Sequence, residues 1–583
     1  MFNVLETDGD ELGVPLLYNA GTVYLEMKKM KGSSKKTTIK KEKSPLNREI
    51  LLMAQLYSKE LERSKQSRTV IHVDEIASGI ARFYEKIRKI IDWKEDNALR
   101  RGAIERILKR ILFPKMVGFK MKNFDSNGLA QTITEELIRG GHLPNHKIPK
   151  TRVDVVSDTL YKYLFFLDDI YNSHKDLNVK RKNNISTFIL EIAACEIEEI
   201  LTRPAKELGV MTAMAAILSK RISVSPKNSL SKKQKFELVM ISTQRKLYHL
   251  DDNYIIYKLL KSTYPNWQEP DEKEMKKISK QIPKIERESY KEINRPINRK
   301  FDYIAAEIDT VFTLFDDVLE TLKENPETMI DKLEDKEEYK KLLTEAYDKR
   351  RKTLKTRLVN SAIFSTLSVF ISNWVTFYLF EVPLAKLFYE EFNLVAAIVD
   401  FLLPTFVMFC MVIIIKPPKK ENLERVIKAS LSFLYQNEGE EEYEIDIREK
   451  RNTPVQIFMH VLYSLMAISL FVLIGYVFYI AQLPITSVVY DTFTIALTVY
   501  AAVVVRNKSK ELTIGEDGNF RGFLIDAFTT PVARVGSFLS RTWKEYNIVA
   551  AFSNFVVEIP LVAVLDFIQA WGDYIKERKA EVH

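Results

Sequence analysis

The sequence predicts a mostly α-helical chain: a helical cytosolic domain, then a four-helix transmembrane bundle and an amphipathic helical C-terminal tail. Three observations lead to this fold class. Apolar residues recur at helical spacing before residue 358, glycine is scarce at 18 of 583 residues, and four long apolar stretches follow. Because charged residues make up 28% of the chain, its membrane and soluble parts must be segregated.

Residues 1–45 are predicted to form a flexible basic leader. Between Lys28 and Lys43 there are eight lysines and one glutamate, interleaved with small and polar residues. Such a run cannot bury apolar surface, so we expect a solvated arm. The alternative is binding to anionic lipid head groups, to which each lysine would add about 1 kcal/mol. The candidate lipid-binding residues are Lys28, Lys29, Lys31, Lys35, Lys36, Lys40, Lys41 and Lys43.

Residues 46–300 are predicted to form a cytosolic helical domain. One apolar helical pattern ends at Gly140-Gly141, and glycine is a common helix stop because it accepts the left-handed conformation. Further helical patterns cover 151–176, 184–203 and 207–222. The stretch 263–300 holds several prolines and many charges, so we expect a linker or an exposed helical excursion there.

Residues 301–357 are predicted to form a helical hairpin that leads into the membrane. Apolar residues in its first half alternate steps of four and three, which suits packing against another helix. These residues are Ile304, Ile308, Val311, Phe315, Val318 and Leu322. Asn325-Pro326 should break the helix, and a charged helix should then run from Glu327 to Arg357.

Residues 358–505 are predicted to contain four transmembrane helices, at 358–380, 394–415, 455–480 and 485–505. Only helices satisfy their backbone groups in lipid at this length. Lysines and arginines flank the start of the first and third spans and the end of the second and fourth. Positive residues favour the cytoplasm, so we expect a multi-pass protein of the cell membrane with both termini cytoplasmic.

Two cytosolic segments complete the predicted organisation. The loop 416–454 should hold a small amphipathic helix followed by an acidic patch. The tail 506–583 alternates apolar and basic residues, which suits helices lying in the membrane interface. Residues 548–571 could form a fifth span, but Pro560 and a polar stripe favour an interfacial or bundle-packed helix.

Signatures of catalysis and of metal or cofactor binding are missing from the sequence. There is no phosphate-binding loop, no dinucleotide fingerprint and no zinc-protease motif, and Cys195 and Cys410 are the only cysteines. His142 and His146 lie in a segment with Gly141 and Pro144, which predicts a loop rather than a metal-binding helical turn. We therefore expect no cofactor, no metal and no catalytic residues, and an enzyme is the less favoured class.

Three residues form the candidate intramembrane polar site: Asp400, Tyr490 and Asp491. Each acid is the seventh residue of its predicted span, and both spans run outside to inside, so the two acids should lie at a similar depth. Acids in lipid are costly unless they face protein or water. A shared-proton pair, a cation site and simple hydrogen bonding within the bundle are the alternatives. The Gly-x-Gly-Asp half of an intramembrane aspartyl protease signature is missing, which disfavours protease activity.

The sequence therefore favours an integral membrane scaffold or interaction protein whose cytosolic helices bind a protein partner. The alternative is a small transporter or channel that uses Asp400 and Asp491. The excess of 87 basic over 78 acidic residues is modest, so no nucleic-acid partner is expected. The lipid bilayer is the other expected partner.

Overall fold

The computed structural model describes most of the chain between Ser44 and Ser540, and its described residues divide into two units. The first contains those up to Phe312, with Leu319–Asp335 and Phe433–Ile445; the second contains Thr313–Val318, Lys336–Ser432 and those from Asp446 on. The described ranges are 44–64, 96–116, 123–145, 148–174, 177–202, 205–227, 229–264, 266–376, 378, 383, 394–413, 415, 418, 421–436, 442–448, 453–480, 485–515 and 529–540.

The first unit is built almost entirely of helices, which confirms the predicted mostly α class. They are α1 (Arg48–Ser64), α2 (Asp96–Leu112), α3 (Ser126–Arg139), α4 (Lys150–Asn172), α5 (Val179–Thr202), α6 (Ala205–Arg221), α7 (Lys232–Leu247), α8 (Asp252–Thr263), α9 (Glu272–Ile293), most of α10 (Asn298–Leu322) and α11 (Met329–Glu334). Strand β1 (Ile222–Ser225) pairs with β2 (Tyr443–Asp446) in a two-stranded sheet.

Helix α5 lies at the centre of the first unit. It packs against α2, α4, α8 and α9. Apolar side chains on several sides of it are buried, among them Ile185, Phe188, Ile192, Ile197 and Leu201. A helix that is apolar nearly all round must be covered by neighbours, and α5 therefore organises the core of this unit.

Local sequence signals set several helix ends in the first unit. Helix α3 ends at Arg139, and Gly141 beyond it has φ of 75°, the left-handed conformation expected for a glycine stop. Asp251 caps α8 by accepting a hydrogen bond from the Tyr254 amide at 2.9 Å. Ser231 and Gln234 form a capping box at the start of α7.

The stretch 263–300, expected to be a linker or an exposed helical excursion, is helical for most of its length. Helix α9 occupies Glu272–Ile293 and buries an apolar face that includes Met275, Ile278, Ile282 and Ile285. It packs against α4, α5 and α8. Abundant lysines and Pro283 hid this face in the sequence, although its three- and four-residue spacing is that of a helix.

Part of the loop 416–454 belongs to the first unit. Gln436 donates its amide hydrogen to the Pro45 carbonyl at 2.9 Å, and Tyr435 donates its hydroxyl to the Leu333 carbonyl at 2.7 Å. The Arg221 guanidinium lies 4.1 Å from the centre of the Phe433 ring. These contacts join residues more than 100 positions apart, which no local pattern could predict.

The second unit is also helical. Its elements are α12 (Lys336–Thr376), α13 (Leu394–Ile413), α14 (Asn422–Leu434), α15 (Thr453–Ile480), α16 (Ile485–Ser509) and α17 (529–540). Helices α12, α13 and α16 pack against one another, and α15 contacts α16. Helix α12 runs for 41 residues without a break, as the absence of Pro and Gly from its sequence predicts.

Taken over the residues that the structure describes, no helix offers a stretch long and apolar enough to cross a membrane.

Helix α17 lies within the predicted amphipathic tail 506–583. Val532 and Ala533 are buried in a cluster with Ile495, Ala496 and Val499 of α16. Helix α17 therefore packs along the middle of α16 rather than beyond its end. Gly536 permits the close approach, because a Cβ there would lie 2.7 Å from the Tyr500 Cβ and clash with the Ala496 carbonyl. The remainder of the predicted tail, including 548–571, lies outside the described residues.

Candidate functional site

The surface of the second unit is rich in exposed, large apolar side chains. Among the described residues, all but four of these side chains lie between Val359 and Phe538; the four are Phe113, Tyr161, Val179 and Tyr303. On α12 they include Ile363, Phe364, Leu367, Ile371 and Trp374, and on α13 Leu402, Phe406, Phe409 and Ile413. On α15 they include Ile457, Phe458, Val461, Leu465, Ile468, Val472, Leu473, Tyr476 and Tyr479. Large apolar side chains exposed in such number on one unit are unusual for a surface that faces water alone.

Three chain segments next to this surface meet in a polar junction. The Asn422 side chain donates to the Tyr347 hydroxyl at 3.3 Å and to the Leu512 carbonyl at 2.5 Å, and accepts from the Ile514 amide at 3.1 Å. Arg351 donates to the Pro418 carbonyl at 3.1 Å. The junction therefore brings together the segment before the apolar part of α12 and the segments that follow α13 and α16.

Exposed cations lie beside this junction. Lys349, Lys352, Lys355 and Arg357 are exposed on α12. Arg350 pairs with Asp317 at 3.0 Å and lies 3.8 Å from Glu511. These basic residues flank the start of the first predicted span. The junction places them close to the segments that follow α13 and α16.

The predicted acids Asp400 and Asp491 lie on neighbouring helices, α13 and α16. Leu403 and Val407 of α13 pack against the buried cluster that α16 and α17 form with Ile495, Ala496, Val499, Val532 and Ala533. Asp400 precedes Leu403 by three residues, and Asp491 precedes Ile495 by four. The side chains of Asp400, Tyr490 and Asp491 lie outside what the structure describes.

The remaining predicted site falls outside the described residues. All eight leader lysines, from Lys28 to Lys43, lie in the part of the chain that is not described. Among the described residues, no group of three or more His, Cys, Asp or Glu side chains could hold a metal ion.

A buried ionic cluster on α5, in the first unit, was missed by the sequence analysis. Glu196 and Lys162 are buried to 1% and 3% side-chain exposure, and the Lys162 ammonium lies 2.9 Å from both Glu196 carboxylate oxygens. Tyr163 donates its hydroxyl to Glu196 at 2.5 Å, and the Trp267 indole donates at 3.2 Å. Lys162 also donates to the Trp267 carbonyl at 2.8 Å. The carboxylate is thus fully surrounded by donors.

Two further glutamates extend this cluster along the same helix. Glu199 accepts hydrogen bonds from Lys258 and, at 3.0 Å, from Lys261. These two ammonium groups outweigh the effect of burial, so the pKa of Glu199 lies below its usual value. Glu198 accepts from Arg100 at 3.1 Å and lies 3.7 Å from Arg101.

The buried charges of this cluster are balanced within it. Its acids are matched by lysine or arginine, which is the condition under which buried charge is tolerated. Cys195, beside it on α5, is buried, and burial raises its pKa well above the usual value, so the thiol stays protonated and unreactive. The signal in the sequence was the acidic triplet Glu196, Glu198 and Glu199 within an otherwise apolar helix.

Comparison with known proteins gives no relative: no family model, no curated protein and no solved structure matches the chain.

Proposed function

We propose that the chain is an integral membrane scaffold, in which the second unit is held in the lipid bilayer and the first binds a protein partner. The observation that carries the membrane part is the concentration of exposed, large apolar side chains on α12, α13, α15, α16 and α17. Removing one such side chain from water is favourable by about 1.5–3 kcal/mol. More than twenty of them would make this surface very costly in water, and hydrocarbon removes that cost.

The placement of charge supports the same proposal. The basic residues Lys352, Lys355, Arg357, Arg506 and Lys508 lie at the ends of the apolar stretches rather than within them. Their helix ends approach one another at the Asn422 junction. Such a basic end favours the cytoplasmic side of a bilayer, which would make both termini cytoplasmic.

The scaffold part rests on the character of the first unit. The ionic cluster on α5 is neutralised within the unit, and the unit is held by long-range contacts that include the chain near Tyr435. A compact helical body that carries no reactive thiol or metal-binding cluster among its described residues suits binding better than catalysis.

The proposal is tested by extraction and labelling of the full chain in its native membrane. We expect the protein to remain in the pellet after alkaline carbonate treatment, which releases peripheral proteins. A cysteine introduced at Lys386 in the predicted external loop should react with an impermeant maleimide from outside. A matched cysteine at Lys428 should react only after the membrane is opened. Release by carbonate would refute the proposal.

A second candidate function, proton or cation transfer, is favoured by one observation. Asp400 lies on α13 and Asp491 lies on α16, and these two helices pack against each other. Two acids at one depth in a low-dielectric region would share a proton or hold a cation. Flux in vesicles reconstituted with the wild type, lost in both Asp400→Asn and Asp491→Asn, would establish this function over the scaffold.

A further inference from the structure

An unbroken stripe of cations runs along the outer face of α9, in the first unit. The six positions Lys273, Lys277, Lys280, Lys284, Arg287 and Lys291 follow one another at steps of four, three, four, three and four, and all six are exposed. At 100° per residue they fall within an arc of about 80°, and the stripe is about 27 Å long. Each position of α9 within that arc and that length is lysine or arginine.

This stripe is not the mixed surface that an ordinary solvated helix carries. On α12, for comparison, acids and bases alternate, and Lys340 pairs with Glu337 at 2.6 Å. On α9, Lys284 lies 3.6 Å from Glu288, both of them largely exposed. Lys273, Lys277, Lys280, Arg287 and Lys291 make no ion pair with any described residue. Like charges at three- and four-residue spacing repel one another, so the stripe lowers the stability of the helix.

The opposite face of α9 holds the helix in place. Met275, Ile278, Ile282 and Ile285 are buried, and Arg181 of α5 forms a two-pronged ion pair with Glu286. The stripe is therefore presented on a helix that is held in place by its buried face. A row of cations about 27 Å long matches an extended anionic surface better than it matches a compact, discrete ligand.

We infer that the α9 stripe binds the anionic head groups of the bilayer surface, and this inference rests on the proposed membrane function. A chain anchored in a bilayer keeps that surface within constant reach of its soluble unit, which raises the effective concentration of head groups. The cytoplasmic leaflet is the anionic one, and it attracts clusters of lysine and arginine close to a membrane anchor.

The test uses the full chain in lipid nanodiscs, with a Cys410→Ser background and an environment-sensitive fluorophore on Gln281→Cys, beside the stripe. With 30% phosphatidylserine we expect a blue shift of the emission that is missing with phosphatidylcholine alone and is lost at high salt, because salt screens exposed charge. The triple variant Lys277→Gln, Lys280→Gln and Lys284→Gln should lose more than half of the shift. The matched triple variant Lys227→Gln, Lys232→Gln and Lys233→Gln, exposed and with the same change of charge, should keep it.

The outcomes separate this inference from the proposed function. Stable insertion into nanodiscs with no lipid-dependent shift would overturn the inference and leave the membrane function standing. Failure to insert into nanodiscs would refute the membrane function itself, and the inference with it. Salt-sensitive binding of a labelled nucleic-acid duplex, lost in the α9 triple variant while the lipid response is missing, would assign the stripe to a different polyanion and overturn the inference.

Discussion

At the scale of single residues, the buried acids of α5 stabilise the first unit only while each keeps its cationic partner. A buried carboxylate without that partner would destabilise the fold. Glu196 is satisfied by Lys162, Tyr163 and Trp267 at once. Taking a carboxylate and an ammonium out of water is costly, and their attraction repays that cost only when both are present. The stability of this unit should therefore respond more to the loss of one partner than to the loss of both.

We expect Lys162→Met to lower the free energy of unfolding by about 3–5 kcal/mol, because it leaves the Glu196 carboxylate buried without its cation. The double variant Lys162→Met with Glu196→Gln should regain much of this loss, since its carboxamide can still accept hydrogen bonds from Tyr163 and Trp267. Denaturant unfolding followed by tryptophan fluorescence measures both. A single variant that costs less than about 1 kcal/mol would contradict the ion pair.

A second residue couples stability to pH. Burial, and then the like charge of Glu105, raises the pKa of Glu191 to about 7, although Lys109 at 3.8 Å opposes the shift. The folded chain then binds this proton more tightly than the unfolded chain. The stability it contributes is complete at acidic pH and is lost as pH rises from about 4.5 to about 7.

Glu191→Gln should remove this dependence. Relative to the variant, the wild type should lose about 1–3 kcal/mol of stability between pH 5 and pH 8. Thermal unfolding at the two pH values measures the difference, and Glu272→Gln, on an exposed side chain, serves as the control. Parallel pH profiles for the wild type and Glu191→Gln would show that Glu191 titrates normally.

At the scale of elements, the sequence predicted most helices but not which of their faces are buried or which helices they pack against. The apolar stretches 394–415 and 485–505 coincide with α13 and α16 to within four residues, because the ends of a long apolar run also mark the ends of its helix. The buried face of α9 was missed because its apolar residues lie among many charges. The position of α17 could not be predicted, because it depends on small residues of two distant segments, Ala496 and Gly536.

Helix α17 gives the prediction at this scale. Gly536→Leu should displace α17 from α16, because even a Cβ at this position would crowd the backbone at Ala496 and the side chain of Tyr500. We expect a loss of about 1–3 kcal/mol or more, and faster hydrogen exchange of the amides between Val532 and Phe538. Val535→Leu, on a more exposed side chain of the same helix, should have little effect. Equal exchange in the two variants would argue against this packing.

At the scale of the whole molecule, the described residues divide into a helical unit with a charged exterior and a helical unit with an apolar exterior. The mostly α class and the segregation of apolar from charged regions could be read from the sequence, since both follow from periodicity and composition. The predicted segment 301–357 is shared between the two units, and Phe433–Ile445 joins the first. Those features, like the ionic cluster on α5, depend on contacts between residues far apart in sequence.

The proposed bilayer location of the second unit is tested most directly by a spin-label scan along α15, with the full chain in liposomes and both native cysteines replaced by serine. The labels are placed one at a time at Ile457, Val461, Leu465, Ile468, Val472 and Tyr476, which are exposed on α15, with Tyr303 of the first unit as the control. We predict that collision with oxygen exceeds collision with a water-soluble nickel complex at Leu465 and Ile468, and that the ratio falls toward the control value at both ends of the helix. A uniform ratio along α15, equal to that at Tyr303, would contradict a bilayer location.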